Sequence, residues 1–225
     1  MSTNQHNQTA PFRAGGKRIL ICDDHSAMRK GVKDILSAAF SEIEFGEAKN
    51  AVEVLKKVKE KKWDILILDM DMPPGRNGLE VLQQMKEEEI KIPVLIFSLH
   101  PEEQIAIRTL RTGAAGYLSK DVADEELLKA VQHILSGRKY ITPSLAEQMA
   151  TQLENPENKP PQELLSDREY ETLLLMAKGK TTSEIAEELS LSVSTISTFR
   201  ARILEKMNMK TNAELVAYAL RNNLV

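Results

Sequence analysis

The sequence predicts an α/β protein: a doubly wound, five-stranded parallel sheet followed by a small all-α domain. Two observations support this prediction. Between positions 17 and 138, short apolar runs alternate with amphipathic stretches, as expected when crossover helices connect parallel strands. From position 164 onward, every pattern is helical. The 225 residues suffice for two domains of ordinary size, each with its own core.

Five short apolar runs predict the strands. The third, Ile65–Leu68, is the clearest, because its four apolar residues are too few for a helix and are bounded by turn-forming residues. The predicted strands are Ile19–Cys22, Glu42–Glu47, Ile65–Leu68, Pro93–Ser98 and Ala115–Leu118. The predicted helices are Ala27–Ala39, Ala51–Glu60, Gly78–Glu88, Glu102–Arg111 and Asp124–Leu135.

Residues able to do chemistry follow four of these strands. Asp23 and Asp24 follow the first, Asp69 the third, Ser98 ends the fourth, and Lys120 lies just after the fifth. Taken singly, each is more often a solvated loop residue. However, the carboxyl ends of parallel strands meet at one edge of the sheet, where open α/β sheets bind their ligands. The alternation therefore predicts one site built from all four strand ends.

Three neighbouring carboxylates repel one another unless a cation lies among them. Oxygen ligands without Cys or His favour Mg²⁺. Beside such a cation, Asp69 can attack a phosphoryl group and form an acyl phosphate, with Lys120 and Ser98 contacting phosphoryl oxygens. His25 follows the acid pair but has no partner of its own kind, so we interpret it as a surface residue at the start of a helix.

The ends and the middle of the chain have weaker patterns. Residues 1–16 are polar and lack an apolar core, which predicts a disordered tail rather than a secretory signal. Residues 139–163 predict a linker, in which Ser144–Leu153 can form a short helix and Glu154–Pro161 is polar and rich in proline.

Four helices are predicted in residues 164–225. Capping patterns introduce the first, second and fourth of them at Ser166–Glu169, Thr181–Glu184 and Thr211–Glu214. The segment carries eight Lys or Arg and eight Asp or Glu, yet residues 194–210 alone have a net charge of +3. This basic stretch is either a solvated face or, as its place on the third helix, Val193–Lys206, favours, a DNA-binding surface.

The composition narrows the class of protein. A net charge of −3 gives no global sign of nucleic-acid binding, so such a function must come from a local patch. The single Cys22 excludes an internal disulfide framework, fits a reducing compartment and is interpreted as a small buried hydrophobe. No run reaches the roughly 18 apolar residues of a membrane span. We expect a cytoplasmic protein without a membrane partner.

Four segments of the first domain resemble the receiver domain of two-component response regulators over residues 17–138: ILICDDHSAMRKG, DILILDMDMP, VLIFSLH and GAAGYLSKD. The resemblance implies a flavodoxin-like fold in which Asp69 accepts a phosphoryl group from a histidine kinase. The implied Mg²⁺ site consists of Asp23, Asp24, Asp69 and the backbone carbonyl of Asp71. Ser98 and Tyr117 are the implied switch residues, although on composition alone Tyr117 would be a half-buried strand residue.

Two segments depart from the receiver pattern. The loop Pro73–Gly78 is one residue longer than usual, and Asp121 follows Lys120 where many receivers have proline. The family often holds that peptide bond cis, and without proline the sequence does not determine its isomer.

The second domain, LSDREYETLLLMAKGKTTSEIAEELSLSVSTISTFRARILEKMNMKTNAELVAYALRNNLV, resembles the LuxR-type helix-turn-helix domain, and the whole chain the NarL/FixJ subfamily. The resemblance implies a recognition helix at Ser194–Lys206 and a homodimer formed through the last helix, which pairs two DNA half-sites about one helical turn apart. The candidate DNA-contacting residues are Ser194, Ser197, Thr198, Arg200, Ala201, Arg202, Lys206 and Lys210. Among them, Arg200 and Arg202 are expected to contact phosphates.

The leading interpretation is a transcription regulator that is switched by aspartyl phosphorylation and is not an enzyme beyond slow autodephosphorylation. One alternative is a DNA-binding regulator that ignores phosphate. Another is an aspartate-nucleophile phosphatase, because Asp69-Met70-Asp71 has the DxD form, although such enzymes usually carry it on the first strand. The subfamily also suggests the hypothesis that the unmodified receiver masks the recognition helix.

Overall fold

The computed structural model describes residues 16–72, 77–99, 102–154, 160–222 and 224–225. The predicted disordered tail, apart from residue 16, lies outside the described residues, as do residues 73–76 of the long loop and residues 155–159 of the predicted linker. Within the described part of the chain, no helix is both long enough and apolar enough to cross a membrane.

Five parallel strands form one sheet in the order β2-β1-β3-β4-β5. The strands are β1 (Lys17–Cys22), β2 (Ile43–Ala48), β3 (Ile65–Leu68), β4 (Val94–Ser98) and β5 (Gly116–Ser119). Each lies within two residues of its predicted bounds, and β3 matches them at both ends. The chain order reverses between β1 and β3, so the edge beyond these two strands is the position where doubly wound sheets place their ligand sites.

Helices cover both faces of the sheet and bury its two sets of side chains. They are α1 (Ser26–Ala39), α2 (Ala51–Glu60), α3 (Gly78–Glu87), α4 (Glu102–Thr112) and α5 (Asp124–Leu135). Ile19 and Ile21 of β1 join the core beneath α1 and α5, whereas Leu20 and Cys22 join the core beneath α2, α3 and α4. This alternation follows from the two-residue period of a strand, and it explains why buried strands are apolar at every position.

Residues 139–154 extend the packing of the first domain, although the sequence assigned them to the linker. The Tyr140 backbone N–H donates to the Ala115 carbonyl over 2.8 Å, at the edge of β5. Helix α6 (Pro143–Glu154) follows, and its Leu145 is fully buried in the core beneath α4. Ile141, just before the helix, packs against the same core, and so does Met149, which lies four residues after Leu145 on the same face of α6.

The second domain is a bundle of four helices. After a 3₁₀ turn at Pro161–Leu164 come α7 (Asp167–Ala177), α8 (Thr182–Glu188), α9 (Val193–Lys206) and α10 (Asn212–Arg221). The predicted capping boxes of Ser166 and Thr181 are confirmed. Thr211 also caps its helix, but the Glu214 carboxylate accepts from the Lys210 N–H rather than completing a box.

Gly78 allows α3 to begin directly against the backbone that follows β3. Its N–H donates to the Met70 carbonyl over 2.9 Å, and a Cβ at this position would lie 2.4 Å from the Asp69 carbonyl oxygen. We therefore expect Gly78→Ala to lower the free energy of unfolding by about 1–3 kcal/mol in urea denaturation, because the backbone must move.

The matched control is Gly31→Ala on α1, where a Cβ meets open space. Because alanine favours the helix over glycine, this change should raise stability by about 0.5–1 kcal/mol. Equal effects of the two substitutions would contradict the close approach at Gly78.

Candidate functional site

An acid–lysine cluster lies at the carboxyl edge of the sheet. Cys22 and Leu68 are paired across β1 and β3, so Asp23 and Asp69 follow neighbouring positions, and the Asp69 N–H donates to the Cys22 carbonyl over 2.9 Å. Lys120 reaches them from the end of β5. Its Nζ lies 2.7 Å from Asp69 Oδ2 and 2.6 Å from Asp23 Oδ2. Asp23 and Asp69 are 46 positions apart in the sequence, and Asp69 and Lys120 are 51 positions apart. The structure brings the three together, as the alternation of strands predicts.

These three side chains are almost completely removed from solvent, each being 4% exposed. Burial raises the pKa of Asp69 to about 6, and the ammonium group of Lys120 only partly offsets this effect. Burial opposes the charge of Lys120 as well, but the two carboxylates outweigh it and raise the lysine pKa. Cys22 is buried beside them, and burial raises the pKa of its thiol, which confirms the prediction of a neutral buried cysteine.

Two carboxylate oxygens in the cluster are shielded from solvent and accept no hydrogen bond. They are Asp69 Oδ1 and Asp24 Oδ1. Because a buried carboxylate oxygen without a donor is costly, the pair fits a site for a cation that takes oxygen ligands. Asp71 lies two residues beyond Asp69 at the same edge, so the carboxylates outnumber the single ammonium group of Lys120. These features fit Mg²⁺.

His25 caps the start of α1 and its side chain is 74% exposed, as predicted for a surface residue. It is also closer to the acid pair than the sequence indicated. Its Nδ1 lies 2.7 Å from Asp24 Oδ1, without the geometry of a hydrogen bond. The potential ligand atoms of Asp23, Asp24 and His25 all lie within 4.8 Å of one another.

Ser98 and Tyr117 are both fully buried on neighbouring strands. Ser98 ends β4, and its carbonyl accepts from the Lys120 N–H over 2.7 Å, so the serine backbone holds the lysine in place. Tyr117 pairs with Ile96 across β4 and β5, in the core beneath α4. Tyr117 is therefore more deeply buried than the half-buried strand residue considered from the sequence.

Sequence reasoning missed Arg29, which is buried at the start of α1 and contacts the acid pair. Its guanidinium group donates to the backbone carbonyls of Asp23 and Asp24 over 2.7 and 3.3 Å. A signal was present, because Arg29 precedes Val32 and Leu36 at helical spacing on the buried face of α1. An arginine on an apolar stripe is rarely buried without a partner.

The candidate DNA-contacting residues lie on the outer side of α9 and just after it. Ile196 and Ile203 anchor the opposite side in the core. All the candidates are exposed: Ser194, Ser197, Thr198, Arg200, Ala201, Arg202, Lys206 and Lys210.

Three of these basic residues differ in their surroundings. Arg200 Nε donates to Asn212 Oδ1 over 2.8 Å, and Lys206 Nζ lies 2.6 Å from the buried carboxylate of Glu169. Within the described part of the chain, Arg202 makes no hydrogen bond or ion pair. Lys206 is therefore partly engaged in holding α7 and α9 together, whereas the charge of Arg202 is available to a ligand.

The second domain docks on the first through the start of α7. Arg168 makes two hydrogen bonds to the Glu80 carboxylate on α3, over 2.7 and 3.0 Å, and a third to Glu171 over 2.9 Å. Glu171 in turn accepts from the Asn77 amide over 3.2 Å. Paired guanidinium–carboxylate bonds are among the stronger polar contacts in proteins, so this cluster orients the two domains.

A second group of contacts joins α4 to the same part of the second domain. Arg108 Nε lies 3.1 Å from Asp167 Oδ1, and its guanidinium group donates to the Leu165 carbonyl and lies 5.0 Å from the Tyr170 ring centroid. Arg111 pairs with Glu163 over 2.7 Å. Together, the two groups fix α7 against α3 and α4.

In this docked arrangement the second domain lies beside the acid–lysine cluster, and the receiver does not cover the recognition helix. A cavity of about 370 Å³ separates Asp24 and His25 from Arg168 and Lys178. The outer residues of α9 remain exposed. The hypothesis that the receiver masks the recognition helix therefore does not hold for this conformation.

Comparisons with known proteins agree with this architecture. The model of the response regulator receiver domain matches residues 19–132, and that of the bacterial regulatory proteins of the luxR family matches residues 163–219. The chain is 35% identical to the oxygen regulatory protein NreC of Staphylococcus carnosus (strain TM300), over 92% of this chain and 99% of that protein. The chain belongs to the response regulators. It is a DNA-binding transcription regulator of a two-component system.

Two solved structures resemble this response regulator. RcsB from Salmonella enterica serovar Typhimurium, bound to promoter rprA with the phosphomimetic BeF3−, superimposes with a TM-score of 0.64 at 21% identity, over 90% of this chain and 98% of that one. At this identity the likeness concerns the fold. A LuxR-family response regulator from Aurantimonas sp. SI85-9A1 has a TM-score of 0.54 at 28% identity, over 61% of this chain and 98% of that one.

Asp69→Asn removes one buried charge from a cluster with excess carboxylates. The folded-state pKa of Asp69, about 6, lies above the unfolded value, so the wild type loses stability as the pH rises from about 4 to about 6. Without divalent cations at pH 7, we expect Asp69→Asn to raise the free energy of unfolding by about 1–2 kcal/mol in urea denaturation. The gain should be absent at pH 4, and Mg²⁺ should stabilise the wild type more than the variant. An equal gain at both pH values would contradict the buried charge.

Arg168→Ala removes the principal ion pair between the domains. Because hydrogen bonds to charged groups contribute about 1.5–3 kcal/mol, we expect the docking equilibrium to shift by about tenfold or more. The measurement is the radius of gyration from small-angle X-ray scattering, which should increase. Lys180→Ala, which removes a surface pair with Glu188 within the second domain, is the control and should leave the radius unchanged. An unchanged radius in Arg168→Ala would contradict docking through this pair.

Proposed function

We propose that this regulator is switched by Mg²⁺-dependent transfer of a phosphoryl group from a histidine kinase to Asp69. The observation that carries the proposal is the unpaired, buried Oδ1 of Asp69 beside Lys120. Lys120 contacts Oδ2, and the carboxylate keeps electron pairs available to attack phosphorus. The new phosphorus–oxygen bond forms as the phosphorus–nitrogen bond of the kinase phosphohistidine breaks, and Lys120 stabilises the charge on the transferred group.

In this proposal Asp24, Asp69 and the backbone carbonyl of Asp71 hold Mg²⁺, and Asp23 helps to place it. When bound, the metal neutralises charge on the carboxylates and on the phosphoryl oxygens. The second oxygen that accepts no hydrogen bond, Asp24 Oδ1, supports the choice of ligands. Lys120 remains bonded to Asp23 and holds that carboxylate beside the reacting group.

Phosphorylation then shifts the population of two states. Ser98 contacts the phosphoryl group, Tyr117 reorients in the space beneath α4, and the packing of α4 against the second domain changes. Arg108 and Arg111 connect α4 to residues before and within α7, which supports this route. Undocking allows two copies of the chain to pair, and Leu220 of α10, 56% exposed, offers an apolar contact for a homodimer.

The active homodimer binds double-stranded DNA with α9 of each copy in a major groove. Ser194, Ser197, Thr198 and Ala201 face base edges, and the basic residues Arg200, Arg202, Lys206 and Lys210 contact phosphates. A DNA target and a kinase partner support a cytoplasmic location. The protein acts as a phosphoacceptor and catalyses at most its own slow dephosphorylation.

The decisive experiment incubates full-length protein with a small phosphodonor and Mg²⁺. We expect one phosphoryl group per chain, its loss in Asp69→Ala or with EDTA, and a doubled mass in light scattering. Failure of Asp69 to take up phosphate from any donor would leave a DNA-binding regulator independent of phosphate. Sustained turnover of a small phosphomonoester would instead indicate a phosphatase, with Asp71 as its acid or base.

The DNA interface yields a separate prediction. Arg202→Ala should weaken binding to all duplexes alike and reduce the salt dependence, d log K/d log[salt], by about 1, because a phosphate contact is lost. Thr198→Ala should instead alter the preference among sequences. Fluorescence anisotropy at several salt concentrations measures both, with Lys180→Ala as the control. An unchanged salt dependence in Arg202→Ala would contradict the phosphate contact.

A further inference from the structure

We propose that Arg29 is a positioning residue that holds the acid-pair segment, Asp23–His25, in the conformation that binds the divalent cation. The inference rests on the proposed function, because it assigns a role toward the Mg²⁺ of that site. It concerns a residue on α1 that offers no ligand atom to the metal. Its guanidinium group is itself positively charged, and it contacts the backbone carbonyls of the ligand residues.

The guanidinium group of Arg29 contacts the acid-pair segment directly. One of its terminal nitrogens donates to the Asp23 carbonyl over 2.7 Å and to the Asp24 carbonyl over 3.3 Å. Arg29 is 5% exposed, so these bonds are shielded from water and are worth more than surface contacts. Both bonds come from one nitrogen, whose two N–H groups are fixed in the plane of the guanidinium group.

The acid-pair segment has few other connections to the fold. It belongs neither to β1 nor to α1. Among the described residues, the sheet side contacts it through the Asp23 N–H, which donates to the Ala48 carbonyl over 3.3 Å, and through Lys120 Nζ, 2.6 Å from Asp23 Oδ2. Within the segment, Asp23 Oδ1 accepts from the His25 N–H over 2.8 Å. These bonds orient Asp23. The Asp24 carbonyl, by contrast, has Arg29 as its donor, so the placement of the Asp24 carboxylate depends on this arginine.

Glu47 of β2 holds Arg29 in place from the other side. Arg29 Nε lies 2.8 Å from Glu47 Oε2, and Lys33 pairs with the other carboxylate oxygen. Hydrogen bonds from these two cations lower the pKa of Glu47, and the bond from Lys33 has the larger effect. The carboxylate therefore stays ionised. Arg29 therefore connects α1, β2 and the acid-pair segment through three hydrogen bonds that depend on one planar group.

A purely structural role for Arg29 predicts a different pattern of bonds. An ion pair between α1 and β2 needs only Glu47, and Lys33 on the next turn of α1 already supplies one. A second nitrogen of Arg29, Nη1, donates instead to the carbonyls of the two acids themselves. Groups that orient metal ligands without binding the metal typically change its affinity by about 10–100-fold when they are replaced.

The test measures Mg²⁺ binding to the full-length protein by isothermal titration calorimetry, without phosphodonor. Arg29→Met should weaken Mg²⁺ binding by about tenfold or more, and Arg29→Lys by an intermediate factor, because lysine cannot bond Glu47 and both carbonyls at once. The matched control is Lys33→Met, which removes the other partner of Glu47 and leaves the acid-pair segment untouched. Its Mg²⁺ affinity should stay within about twofold of the wild type.

Phosphorylation kinetics give a second readout. In both Arg29 variants, the Mg²⁺ concentration that gives the half-maximal rate should rise, while the rate at saturating Mg²⁺ should remain within about threefold of the wild type. This split is expected because Asp69 and Lys120 are positioned by β3 and β5, not by Arg29. Thermal unfolding in EDTA, measured in parallel, monitors stability, and Arg29→Lys provides the test if Arg29→Met fails to fold.

Three outcomes would count against the proposals in different ways. Mg²⁺ affinities of both Arg29 variants close to the wild type, together with a lower unfolding temperature, would make Arg29 purely structural and overturn the inference. A wild type that binds Mg²⁺ but takes up no phosphate would overturn the proposed phosphorylation and leave the role of Arg29 to be decided by calorimetry. A wild type that binds no Mg²⁺ would overturn both.

Discussion

The buried contact of Lys120 with Asp23 and Asp69 is the interaction on which the rest of the site depends. Two carboxylates at neighbouring strand ends would repel each other, and one ammonium group between them makes their burial tolerable. The compensation is incomplete, because Asp69 Oδ1 and Asp24 Oδ1 accept no hydrogen bond. Negative charge therefore exceeds positive charge at this edge of the sheet, which favours the binding of a cation there.

The same excess of negative charge lies next to the docked second domain. Arg168 and Lys178 border the cavity beside Asp24, while the bonds of Arg168 to Glu80 and Glu171 hold α7 in place. The docked interface therefore lies next to the acid site, across one cavity. In the proposed function, a change of charge at the site would act on the interface across this cavity and, through Arg108, by way of α4.

Much of the fold and the centre of the site could be predicted from the sequence, because local patterns determine them. Ile65–Leu68 was found to the residue, and the alternation of strands and helices was enough to bring Asp69 and Lys120 together. Features that depend on tertiary packing were missed. The burial of Leu145 depends on its packing beneath α4. The apolar stripe of α1 indicates that Arg29 is buried, but its partners, the carbonyls of Asp23 and Asp24, follow only from the folded structure. The docking of α7 depends on surface charges, such as Glu80, that have no signature in the chain.

The position of α9 argues for a particular kind of control. Its outer face, including Arg202, is exposed in the docked conformation, so undocking does not need to uncover the DNA-reading surface. What docking does limit is the freedom of the second domain, since α7 is tied to α3 and α4. A monomer held in this way presents one recognition helix, whereas the homodimer of the proposed function would present two at a fixed spacing. Phosphorylation would then control whether two copies can place their α9 helices side by side. The signal would start at the acid–lysine cluster and act on the interface around Arg168.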